Sequence, residues 1–94
     1  MARSKTKIYR MNVVSSGVDI ISRMTLTEVE FNRQLAYLKQ CVADSIADGS
    51  EDWIETYQSA PGNFTTTSQH IFSYGHNTIV LTKVECVPGC QFQN

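Results

Sequence analysis

Cys86 and Cys90 place two thiols on either side of the turn-forming pair Pro88-Gly89, a spacing that zinc accepts as half of a tetrahedral site. Cys41, His70 or His76 would have to supply the remaining ligands. A structural zinc site normally shows two recognisable ligand pairs, whereas His70 and His76 straddle a turn between two different strands, so no metal or other cofactor is expected. The same two imidazoles are the only ones that could activate a cysteine or serine nucleophile, and neither sits in a motif that brings such partners together. Gly17, Gly49, Gly62, Gly75 and Gly89 stand singly, which excludes a glycine-rich phosphate loop. The chain reads as non-enzymatic.

Charge offers the stronger signal. The net value is only −1, yet five of the nine acidic residues, Asp44, Asp48, Glu51, Asp52 and Glu55, fall within twelve positions. Carboxylates near a helix C-terminus meet the negative end of the helix dipole, so Asp44 and Asp48 are not expected to serve the helix itself. With Trp53 and Tyr57 as aromatic anchors, this acidic segment suits a protein partner with a basic surface. The other end of the chain is basic: four of the eight Lys and Arg residues, Arg3, Lys5, Lys7 and Arg10, lie in the first ten positions, and such an arm can neutralise nucleic-acid phosphates. Against a general nucleic-acid binder stand a pI near 6.0 and a single basic residue beyond Lys39. A third arrangement would set Arg10, Arg23 or Arg33 on a phosphate and His70, Phe72 or Tyr74 on a base, in a nucleotide pocket formed between copies of the domain.

The elements that must position these residues follow from period and punctuation. Thr27-Glu28-Val29-Glu30 reads as a capping box, Leu26 and Phe31 as its hydrophobic staple, and Gly49 as the stop. Between them Phe31, Leu35, Leu38, Val42 and Ile46 recur on one stripe, which predicts an amphipathic helix from Thr27 to Asp48. Upstream, Tyr9, Met11 and Val13 alternate with Ile8, Arg10 and Asn12, a half-buried strand. Ser15-Ser16-Gly17 offers a tight turn, and Val18, Ile20 and Met24 are expected on one face of the return strand with Ile21 and Arg23 on the other. Residues 51–57 fit either a short helix or a strand; the β-rich types Trp53, Ile54, Thr56 and Tyr57 favour the strand. Ala60-Pro61-Gly62-Asn63 and Gly75-His76-Asn77 read as turns bounding the stretch Phe64 to Tyr74, and Thr78 to Cys86 alternates as a final strand.

The order ββαβββ predicts an α+β fold: an antiparallel sheet with one long helix packed across one face. At 94 residues this is one domain, with a basic arm at 1–6 and an irregular tail at 87–94. A hydrophobic fraction of 41% with 18% charged residues is ordinary globular composition. No apolar run is long enough to span a bilayer, and the first residues lack a signal-peptide core, so a cytoplasmic protein is expected, without a membrane role. An odd number of cysteines, Cys41, Cys86 and Cys90, one of them beside the helix stripe, implies reduced thiols. Tyr9, Trp53, Tyr57, Phe64, Phe72 and Tyr74 are more large aromatics than one helix stripe covers, which suggests a homodimer or a higher oligomer.

In general character the chain is similar to the small single-domain accessory proteins encoded by bacteriophages. That likeness is one of class, and it implies a protein that inhibits or occludes a host or defence protein.

Overall fold

The computed structural model of the protein describes residues 7–62 and 64–86. Lys7–Ser15 (β1) and Val18–Leu26 (β2) form a hairpin, Glu28–Ala47 is the helix (α1), and Trp53–Pro61 (β3), Thr65–Tyr74 (β4) and Asn77–Cys86 (β5) complete an antiparallel sheet in the order β2-β1-β5-β4-β3. The predicted α+β architecture is therefore the one observed. The expected arm at 1–6, the tail at 87–94 and Cys90 lie outside the described residues.

Both two-residue turns take their shape from residues in left-handed conformations. Ser16 (φ 51°) and Gly17 (φ 80°) close the first hairpin, and both angles being positive gives the turn that matches the strand twist. That turn is tied to the β4–β5 turn: the Ser16 N–H donates to the His76 carbonyl at 2.9 Å, and the Ser15 hydroxyl to Asn77 Oδ1 at 2.6 Å. The non-sequential pairing of β1 with β5, which runs unbroken from Lys7 opposite Glu85 to Ser15 opposite Asn77, thus has polar anchors at its turn end.

Thr27 is the N-cap as predicted. Its Oγ1 accepts the Glu30 N–H at 3.1 Å, and Glu30 Oε1 accepts the Thr27 N–H at 2.9 Å, so two otherwise orphaned donors are satisfied. The helix leaves the end of one edge strand, β2, and delivers the chain to the start of the other, β3. Leu26 lies opposite Tyr9 near the start of β1, whereas Trp53 lies opposite Tyr74 at the end of β4, so the helix crosses the sheet on a diagonal. Its 20 residues span roughly 30 Å, enough to reach from edge to edge of five strands spaced about 4.8 Å apart. Phe31 and Leu38 from the helix meet Tyr9, Phe72 and Leu81 from the sheet in the buried core, with the Tyr9 and Phe31 rings 4.8 Å apart.

Several expectations need correction. Ile46 does not continue the buried stripe; it is 63% exposed, and Ser45 turns inward instead because its backbone and side chain bind the returning chain. Ile21 lies opposite Val13 and so shares the helix-facing side with Met24, since two register shifts between β1 and β2 change the alternation. Ala60 and Pro61 belong to β3 and not to the turn that follows it. Cys86 is disulfide-bonded, against the expectation of reduced thiols throughout, while Cys41 is free.

The surplus aromatics are also distributed differently from what a partner on the bare sheet face would require. Register places Tyr9, Trp53, Tyr57, Phe72 and Tyr74 on the helix side. The opposite face of β3, β4 and β5 carries Ile, Val, Thr, Ser and Gln, joined by a polar ladder: Gln58 Nε2 donates to Gln69 Oε1 at 2.7 Å, and Gln69 Nε2 to Thr82 Oγ1 at 3.3 Å. A face of this kind tolerates water, as one side of an antiparallel sheet commonly does. No helix among the described residues is long and apolar enough to cross a membrane.

Candidate binding site

Where α1 ends, the chain doubles back onto its own last turn. Gly49 (φ 81°) supplies the left-handed residue after the Asp48 C-cap, and Glu51 (φ 54°) repeats that conformation two residues on. Ser45 then fastens the return. Its carbonyl accepts the Glu51 N–H at 3.0 Å and the Ser50 hydroxyl at 3.4 Å, while its own hydroxyl accepts the Trp53 N–H at 3.3 Å. This one buried serine fixes the angle at which β3 enters the sheet, and its side chain was not among the candidates read from the sequence. Its only sequence signal is a small polar residue at a position that the helical period leaves free to face inward.

The result is a cleft of about 260 Å³ between the helix end and the β3–β4 edge, lined by Asp44, Asp48 and Asp52 and by Cys41, Ser45, Ser50, Trp53 and Tyr74. Trp53 and Tyr74 face each other across β3 and β4 and stack with centroids 4.9 Å apart and planes 22° from parallel. Trp53 is half-buried and packs against the edge of the core, Tyr74 is exposed, and both rings line the cleft. Among the described residues no Lys or Arg lines the cleft, and the last turn of the helix carries no basic residue.

The five acids separate into two groups. Asp44, Glu51 and Asp52 are exposed, Asp44 with Oδ1 accepting from Gln40 Nε2 at 2.8 Å. Glu51 lines a neighbouring groove and not the cleft, whereas Asp48 lines the cleft with Asp44 and Asp52 and has a local task besides: its Oδ1 accepts the Ser50 N–H at 2.8 Å, which holds its carboxyl below the usual range. Glu55 does not join the ridge. It points to the helix side, where its Oε2 lies 2.7 Å from Lys39 Nζ and 3.7 Å from His70 Nδ1. Tyr57 is on that same side, its ring tilted against His70 at 4.7 Å; the Ser68 and Ser59 hydroxyls beside its phenol hold the phenol below the ordinary tyrosine range.

His70 is the most constrained polar group nearby. Its Nδ1 is buried without a hydrogen-bond partner, and burial, with Lys39 and Lys83 adding to it, pushes the imidazole below its ordinary 6.5 although Glu55 acts the other way.

The arginine-and-aromatic arrangement is not assembled within one chain. Arg10 projects from β1 on the face opposite the helix and Arg23 sits in the irregular stretch of β2 with φ 60°, while Arg33 is on the helix beside Met11, Met24 and Leu26. Phe72 is fully buried and so offers no ring to a base. No group of three or more His, Cys, Asp or Glu side chains that could hold a metal ion occurs among the described residues.

No known protein family matches the chain, and neither curated proteins nor solved structures give a match.

Proposed function

We propose that this is a non-enzymatic binding protein that captures a basic segment of a partner protein, seating an arginine or lysine side chain in the cleft at the end of α1. The observation that carries this reading is the stacked Trp53–Tyr74 pair beside three carboxylates, Asp44, Asp48 and Asp52, in one cleft that no basic residue among those described lines. Aromatic faces and carboxylates together suit a cation: the rings contribute about 0.5–2 kcal/mol of cation–π attraction, rising with desolvation, while the acids steer the approach and exclude acidic competitors. A guanidinium fits better than an ammonium, because it can stack on the rings while its edge donates to carboxylate oxygens. Bound in this way, a basic surface is covered and not chemically altered, which is the occluding role that the class likeness implies. In this reading the protein works in the cytoplasm, where Cys41 would remain a thiol; the disulfide at Cys86 is unusual for a reducing compartment.

Calorimetry with an arginine-rich peptide tests the proposal. Wild-type protein should bind it, more weakly as salt rises, and Asp44→Asn with Asp52→Asn should remove most of the affinity while leaving the fold intact, because neither carboxylate caps a backbone or pairs with a lysine. Asp48 and Glu55 are unsuited to this test, since Asp48 caps Ser50 and Glu55 pairs with Lys39. Deleting residues 2–6 should leave peptide binding unchanged, whereas a nucleic-acid binder working through that arm would lose affinity for an oligonucleotide. Equal binding by the neutralised variant would refute the acidic cleft.

A further inference from the structure

The outer edge of β3 carries a pairing surface that matches itself. The Gly62 N–H donates to the Thr65 carbonyl at 2.6 Å, and β3 and β4 pair without a register shift from Trp53 opposite Tyr74 to Pro61 opposite Thr66. Backbone groups alternate along a strand, so the even-numbered residues from Ile54 to Ala60 direct their N–H and C=O groups towards β4 and the odd-numbered ones direct theirs outward. Two independent features agree. The Trp53 N–H leaves the sheet to reach Ser45 Oγ, and Pro61, which has no N–H to offer, falls at an outward position where none is lost to β4. Glu55, Tyr57 and Ser59 are left with both backbone groups on an edge that no strand among the described residues covers. β3 carries neither a bulge nor a lysine, its proline stands only at the last position, and its one charge, Glu55, is paired with Lys39.

We propose that two copies of this chain pair β3 to β3, antiparallel about a two-fold axis at Tyr57, to make one continuous ten-stranded sheet. Tyr57 is the central residue of Trp53–Pro61, so this register uses the full strand. Tyr57 then faces Tyr57 of the second copy, and Glu55 faces Ser59 of the second copy. All of these are outward residues, so each of the three pairs exchanges two backbone hydrogen bonds. The side chains agree with the backbone. No acid meets its own copy, because Glu55 lies opposite a serine and is already neutralised by Lys39. The register also brings Ala60 and Pro61 of the second copy beside Ile54 and Trp53. There a groove of about 480 Å³, lined by Val42, Ile46, Trp53 and Ile54 together with Glu51 and Glu55, exposes apolar surface on this same edge. Ile46 and Ile54 are both more than half exposed in the single chain, and the second copy supplies small apolar residues to cover them. The inference does not rest on the acidic cleft, which lies on the other side of Trp53.

Amide hydrogen exchange on the full chain, read residue by residue beside the mass in solution, tests it. The expected result is twice the 10.6 kDa chain mass, with slow exchange at Glu55, Tyr57 and Ser59 as well as at the even-numbered β3 residues. Ser59→Pro, at a position whose N–H faces away from β4, should restore the monomer mass and free the Glu55 and Tyr57 amides while the rest of the sheet stays protected. A 10.6 kDa species at high concentration would overturn the proposal. So would a dimer in which Glu55, Tyr57 and Ser59 exchange freely, or an extended foreign peptide being required before they are protected.

Discussion

The two edge strands of this sheet, β2 and β3, have equal lengths of nine residues and opposite characters. β2 departs from register with β1 twice, and Arg23 sits at φ 60° within it, so its outer backbone cannot present a regular row of donors and acceptors. β3 is unbroken over its whole length and ends in a proline that costs no hydrogen bond with β4. The helix repeats the contrast. At the β2 side its first turn is closed locally by Thr27 and Glu30, residues three apart; at the β3 side Ser45 fastens the last turn to a strand that begins eight residues later. One edge is closed off by its own irregularity, and the other carries the groove at Ile46 and Ile54 and lies next to the acidic cleft. Both proposed binding surfaces therefore lie at the regular edge.

Substitutions can break this contrast to different degrees. Leu38 is 1% exposed at the centre of the shared core, so Leu38→Ala should cost about 2–5 kcal/mol and lower the stability of both edges together in denaturant unfolding. Ser45→Ala should cost about 1–3 kcal/mol, the loss expected when a part-buried donor is left without its acceptor. Its effect should be local: faster amide exchange at Trp53 and Glu51, with β2 unchanged. Thr27→Ala should cost about 1 kcal/mol through the missing cap and act at the β2 side, and an unaltered melting temperature would remove the capping box from the account.

The smallest effect expected is that of pH. His70 sits below its ordinary 6.5 in the folded chain, so folding favours its neutral form. The stability tied to it is fully present above about pH 6.5, the unfolded value, and is lost as pH falls through the lower folded value. Lys39, Glu55 and Lys83 all face the ring and share in that dependence. The β3–β4 side should therefore loosen first on acidification, and His70→Gln should flatten the change; an acid response identical in the variant would assign it elsewhere.

Much of this architecture was legible because it is written at short range. The capping box, the Ser16-Gly17 turn and the period-two strands each depend on residues within a few positions of one another, and each appears where it was read. What failed depends on pairing across the sheet. The side on which Ile21 falls is set by bulges in the β1–β2 register, and Ser45 replaces Ile46 in the interior because Trp53 returns to it. The candidate site divides in the same way. Asp44, Asp48, Asp52 and Trp53 were visible as an acidic segment with an aromatic anchor, but Tyr74 joins Trp53 only through the β3–β4 register, and Glu55 leaves the ridge because Lys39, sixteen positions earlier, claims it.

Trp53 is the single tryptophan of the chain and forms one wall of the acidic cleft, so its fluorescence reports on the central claim without a label. Titration with an arginine-rich peptide at low salt should change the Trp53 emission to saturation. Raising the salt should reverse the change, and a glutamate-rich peptide of the same length should leave the emission flat. Asp44→Asn with Asp52→Asn should abolish most of the response. An emission that ignores the basic peptide, or that responds equally to the acidic one, would contradict the account.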